Sequence, residues 1–381
     1  MLIYKIREEK ILMFKNIKEN LRNFDYYLFF ACVLLSLIGL ILVFSASRSY
    51  GGYKIIIVQF AALILGLGVC IWVAFWDYEF LSTKWKYILG ANVFLLVLVL
   101  VIGIGGEEVG GNSWIDLGVI KFQPAELVKI GYIICFAVQL DACKRDINNP
   151  KNVIMFVLHF ALIFGLIMLQ PDFGTGMVFL AIFAGMLFVA RISYKYVLAA
   201  VGSLFAIVPL MWFFFLGEYQ KDRIRVFLNP ELDPLRSGYQ VIQSKLAVGS
   251  GEIAGRGLFN GVQTQLGYLP AKHTDFIFSV AGEELGFIGA AFILALIVFI
   301  IARCFYIAHN AKNSLGAFIA TGIGMMLLAQ SFENIGMTIG LMPVTGITLP
   351  FVSYGGSSLV TTFLAIGIVL NIRIRHRVIN F

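Results

Sequence analysis

Charge is what this chain has least of. Only 13% of its 381 residues are charged, whereas 60% are hydrophobic and the mean hydropathy is +0.88. Soluble domains carry about 25% charged residues, so this balance excludes a water-soluble enzyme. The five cysteines (Cys32, Cys70, Cys135, Cys143, Cys304) all fall in apolar runs or at their expected cytoplasmic edges. With none in an external loop, no structural disulfide is expected. No domain outside lipid offers a basic face, so a nucleic-acid partner is not expected either. An internal repeat is also missing, which argues against a transporter built on inverted repeats. The apolar runs do not alternate, which excludes a barrel.

What is there is a series of long apolar runs. About 20 such residues cross the hydrocarbon core as a helix. Candidate spans cover roughly 26–46, 55–75, 87–105, 125–140, 153–169, 176–190, 197–217, 281–302, 316–335 and 356–372. Backbone groups in lipid must be satisfied internally, so the expected fold is all-α and polytopic, with ten transmembrane helices. A leader over 1–25 precedes one membrane domain over 26–372, and a basic tail follows over 373–381. The small residues Ser45-Ala46-Ser47 resemble a cleavage site, but the run before them is too long, so the first span reads as a retained anchor.

Basic residues set the orientation. Lys5, Arg7, Lys10, Lys15, Lys18 and Arg22 precede span one, and Arg373, Arg375 and Arg377 follow the last. Lys84, Lys86, Lys144, Arg145, Lys151, Arg191, Lys195, Arg303 and Lys312 fall on the same side. Only Arg48, Lys54 and Lys121 lie in the short loops opposite. Both termini are therefore expected in the cytoplasm, and the net charge of +7 reflects topology. The long loop 218–280 faces outward. Within it Tyr239, Ile242 and Leu246 recur at helical spacing opposite Gln240, Gln243 and Ser244, which suggests a short interfacial helix.

Charges near lipid are costly, and those present collect on the outer side. Glu126 and Lys129 share one face at the start of span four, as a self-neutralising pair or as part of a site. Asp172 sits in a tight turn, Gln170-Pro171-Asp172, that joins two spans. Trp114 is an interface anchor or a platform for a sugar face. Lys221, Arg223 and Arg225 are solvated charge, or phosphate ligands if the substrate is anionic. Gly249, Gly251, Gly255 and Gly257 lack the βαβ context of a dinucleotide fingerprint and point to close backbone approach. Asp275 stands beside Lys272 and His273, just before span eight. Glu283 and Glu284 open that span, where acidic groups favour a helix N-terminus. Residues 343–358, with two prolines and three glycines, read as a re-entrant loop.

In order along the chain, QPAELVK, QPDFGTG, YQKDRIRVFLNPELDP, GYQVIQSKLAVGSG, KHTDFIFSVAGEELG and NIGMTIGLMPVTGITLPFVSYGGSS resemble the SEDS family of shape, elongation, division and sporulation proteins. Within it they are similar to the RodA type. The resemblance implies a multi-pass enzyme of the bacterial plasma membrane that polymerises lipid II into a nascent glycan strand. It implies a class B penicillin-binding protein, a transpeptidase, as partner. Asp275 then takes the place of the proposed catalytic aspartate, Glu126 and Lys129 that of the polar span-four pair, and Trp114 that of the loop tryptophan. Two positions depart from the family pattern: Ser113 stands where arginine is usual and Glu252 where a glycine is.

On this reading Asp275 is the base for the attacking sugar hydroxyl, because a neutralised diphosphate leaves without an acid. Arg223, Lys129 and Lys272 would bind the leaving group, while Trp114, Glu126 and Asp172 contact substrate. No cofactor is evident; a divalent cation, Mg or Mn, at Asp275, Glu283 and Glu284 lacks dedicated ligand spacing. The rival readings are a lipid-linked precursor flippase, which needs a charge path to the cytoplasmic leaflet, and a non-catalytic scaffold for the transpeptidase.

Overall fold

A computed structural model of the chain describes residues 22–48, 51–105, 113–116, 118, 121–214, 217–233 and 237–375. Helices cover all ten expected segments: α1 Tyr26–Ser47, α2 Tyr53–Phe75, α4 Trp85–Ile102, α5 Pro124–Ala142, α6 Pro150–Met168, α7 Phe173–Val189, α8 Tyr194–Phe214, α12 Ile277–His309, α13 Ser314–Thr338 and α14 Gly356–Ile374. Short helices α3 Tyr78–Thr83, α9 Glu218–Leu228, α10 Ser237–Ser250 and α11 Val262–Gln265 fill the connections, and Ile115–Asp116 (β1) pairs antiparallel with Lys121–Phe122 (β2). Among the described residues seven helices are long and apolar enough to cross a membrane, and Phe173–Val189 is apolar but shorter. The protein is an all-α integral membrane protein.

Caps explain where the helices begin. The Asp25 side chain accepts from Leu28 N at 3.0 Å, and the Asn149, Asp172 and Asn313 side chains cap α6, α7 and α13 in the same way. Pro124 and Pro150 occupy first turns, where no amide is needed.

Small residues then set how closely the helices pack. A Cβ on Gly367 would stand 2.7 Å from the Cys70 carbonyl oxygen, so α14 lies directly on the α2 backbone. Gly322 of α13 accommodates Ile133 of α5 and Met186 of α7 in the same way. Outward faces carry Phe60, Ile64, Phe94, Leu158 and Phe205, all exposed, as lipid-facing positions should be.

Helix α10 forms where the periodicity of 218–280 suggests one, but it is turned. Val241, Ser244 and Ala247 are buried, while Leu246 is exposed. Ser244, expected on the polar outer face, bonds Ser279 Oγ and donates to the Thr338 carbonyl, both at 2.6 Å. Small side chains let α10 approach α12 and α13 closely, and the hydroxyl finds its partners inside.

Candidate active site

The glycine-rich stretch 249–257 mends a break in α12. Gly286 adopts φ 67 and ψ −166 inside that helix, which frees the carbonyls before it and the amides after it. Arg256 N and Gly257 N donate to the Glu283 and Glu284 carbonyls at 2.9 and 3.0 Å, and Phe287 N and Ile288 N donate to Glu252 and Ile253 at 2.9 and 3.2 Å. A Cβ on Gly286 would lie 2.2 Å from Gly255 N, so the close backbone approach is what these glycines permit. Glu252, where the family pattern has glycine, sits at φ 49, a region that costs a non-glycine residue.

Glu283 and Glu284 belong to this brace. Both Glu283 oxygens are used, Oε1 by Gln263 N at 2.7 Å and Oε2 by Thr264 N and Thr264 Oγ1 at 3.0 and 2.6 Å. Glu284 Oε1 accepts from Ser45 Oγ at 2.6 Å and from Gln265 Nε2 at 3.1 Å. Buried Lys272 donates to the Thr264 carbonyl and faces both carboxylates. Burial holds its ammonium below the usual lysine range. Among the described residues no cluster of three or more His, Cys, Asp or Glu side chains is arranged to hold a metal.

The brace ends on Asp275, and three successive carbonyls fix that residue. His273 O accepts from Tyr354 N at 2.8 Å, Thr274 O from Ser353 Oγ at 2.6 Å, and Asp275 O from Asn334 Nδ2 at 2.8 Å. Loop 339–355 supplies two of these donors. It is non-helical, residues 347–353 are largely buried, and a Cβ on Gly39 would stand 2.6 Å from Val352 Cα. Gly39 lies about two turns inside the end of α1, so the loop dips into the bundle. Gln59 holds its far side, donating to Ser353 O and accepting from Gly355 N, both at 3.1 Å. The half-buried Asp275 carboxylate faces Gly346, whose Cβ would lie 3.8 Å from Oδ2.

A second polar group reaches the same loop from α5, α7 and α13. Lys129 and Glu126 pair at 2.7 Å with side chains 0% and 7% exposed. Asp172 caps α7 through Thr175 N at 3.0 Å and Thr175 Oγ1 at 2.8 Å, and Gln123 Nε2 donates to it at 3.2 Å. Burial raises its carboxyl above the usual range, against the pull of the Thr175 bonds and of Lys129. Glu333 of α13 completes the group: it faces Lys129, Asp172 and Thr345. Gly174, next to Asp172, accommodates Thr345 and Ile347. Asp275 and the Glu126–Lys129–Asp172–Glu333 group thus both abut Thr345–Ile347.

With this buried polar group placed in an otherwise apolar bundle, the chain can be compared with known proteins. The cell cycle protein family of FtsW, RodA and SpoVE matches residues 26–378. The chain belongs to this family. It is 38% identical to the peptidoglycan glycosyltransferase MrdB of Escherichia coli K12 over 290 residues, 76% of this chain and 78% of that one. It is 41% identical to stage V sporulation protein E of Bacillus subtilis 168 over 359 residues, 91% and 96% of the two chains. A solved chain described under the structural coordination of polymerization and crosslinking by a peptidoglycan synthase complex matches at a TM-score of 0.79 and 32% identity, covering 92% of this chain and 97% of that one.

Among the sequence candidates, the described structure groups Glu126, Lys129 and Asp172. Asp275 meets them through the 345–347 loop, and Lys272 joins the α12 brace. Trp114 pairs with Ile104 in an isolated bridge beside β1 and is half-buried. Arg223 lies on α9, and its side chain falls outside the described residues. Sequence reasoning passes over Glu333 and Asn334. The signal was present for Glu333, a carboxylate inside an apolar run. Asn334 carried no such mark.

Proposed function

We propose that this protein is a peptidoglycan glycosyltransferase that polymerises lipid II for cell-wall growth, with a transpeptidase as partner. One observation carries the reading: a carboxylate at a rigid backbone position and a buried ion array share one loop in the bundle. Names of relatives that cover most of the chain support the reaction class.

Asp275 takes the proton of the attacking sugar hydroxyl as that oxygen bonds to the anomeric carbon. The bond to the diphosphate breaks on the opposite face, so configuration inverts. Basic side chains neutralise the departing diphosphate. Lys129 is buried and already shared among Glu126, Asp172 and Glu333, so α9 carries more of that task through Lys221, Arg223 and Arg225. Lys221 and Arg225 pair with the exposed Glu218 and Asp222, and such exposed pairs are weak enough to give way to a diphosphate. Lys272 keeps the loop before Asp275 in place through Thr264. Trp114 offers an aromatic face to the sugar.

Purified wild-type protein given labelled lipid II is expected to produce glycan chains. A folded Asp275→Asn variant loses about 10²–10⁴-fold in rate. Undiminished polymerisation by that variant overturns the base assignment. Leaflet transfer without glycan, or neither, favours a flippase or a scaffold.

A further inference from the structure

One turn of α13 is crowded with acceptors. Gln330 Oε1, Ser331 Oγ, Glu333 Oε2 and Asn334 Oδ1 are all buried and have no hydrogen-bond partner from the protein. Native folds leave only a few such atoms per hundred residues. Four within five residues is a concentration that asks for donors from elsewhere.

Glu333 is the member tied to the site. It is 3% exposed and faces Lys129, Asp172 and Thr345. The neighbouring carboxylates are already engaged. Glu126 Oε1 holds Lys129 at 2.7 Å, and Asp172 receives Thr175 N, Thr175 Oγ1 and Gln123 Nε2. Glu333 Oε2 therefore remains for a ligand. Glu126, Asp172 and Glu333 already share the single ammonium of Lys129, which leaves no cation for an anionic group, so the part of the substrate that fits here is neutral and brings its own donors.

Resting on the glycosyltransferase reading, we infer that Glu333 Oε2 accepts a hydrogen bond from a hydroxyl or amide N–H of the substrate sugar. The α5–α7–α13 side of the site then holds sugar, and the diphosphate lies elsewhere. Asn334, one residue on, fixes Asp275 by its backbone, so binding of the sugar is registered against the base through one turn of helix.

The test pairs protein variants with substrate analogues, each lacking one hydroxyl or the acetamido N–H. Glu333→Ala is expected to lower kcat/KM on the full substrate about 10–100-fold, mainly through KM. One analogue should cost the wild type a similar factor and cost Glu333→Ala nothing further. Losses that multiply for every analogue overturn the inference. The similarly sized Glu333→Met, which has no oxygen acceptor, runs the same cycle if the alanine variant does not fold. If wild-type protein makes no glycan, the proposed function fails by itself. The cycle is then read as binding of the lipid-linked disaccharide, with non-additive losses supporting the inference and multiplying losses overturning it.

Discussion

The side-chain amide of Asn334 donates to the main-chain oxygen of Asp275 at 2.8 Å and to that of Ile347 at 2.7 Å. One buried group therefore ties the loop before α12 to the loop before α14. Asn334→Ala strips both carbonyls of their donor, an expected cost of about 2–4 kcal/mol. Asn334→Asp keeps the shape but loses the amide donor. Both variants should lower the thermal unfolding midpoint and reduce polymerisation; an unchanged midpoint would refute the link.

The Glu126–Lys129 pair predicts non-additivity. Lys129→Met leaves a buried carboxylate without its cation and should cost about 3–5 kcal/mol. Combining it with Glu126→Gln should restore part of that loss, because the directly paired carboxylate is then neutral while Asp172 and Glu333 still lack the ammonium. Denaturation of the two single variants and the double variant measures the coupling.

Backbone geometry at the α12 break predicts opposite effects at two sites. Gly286→Ala puts a Cβ 2.2 Å from Gly255 N at φ +67 and should destabilise by about 2–4 kcal/mol. Glu252→Gly relieves a left-handed residue at φ 49 and should stabilise by up to ~1 kcal/mol. Thermal scans of the two variants should move in opposite directions.

His273 predicts a pH dependence. Burial, with Lys272 nearby, lowers its pKa below the usual 6.5. The folded state thus excludes a proton that the unfolded chain accepts. Stability from this residue is present above about pH 6.5 and lost as pH falls below it. His273→Gln should flatten the decline in unfolding midpoint across that window, and a slope unchanged by the substitution would contradict the assignment.

Much of the architecture is legible without coordinates. Long apolar runs have one solution in lipid, so the helices fall where hydropathy puts them. Their starts are set by caps such as Asp25 and Asn313, which the structure identifies. Glu126 and Lys129 are visible as a pair since three residues on a helix share a face.

What the tertiary structure decides is who meets whom. Glu283 and Glu284, read from the sequence as acids opening a span, are drawn into the repair of a broken helix, and Lys272 goes with them. Ser244 turns inward because a carbonyl on α13 awaits it. Glu333 and Asn334 gain their place only when α13 lies beside α5, α7 and the 339–355 loop. Those contacts join residues far apart in the chain, and their partners are set by packing and by the cost of a buried polar group, neither of which a one-dimensional pattern records.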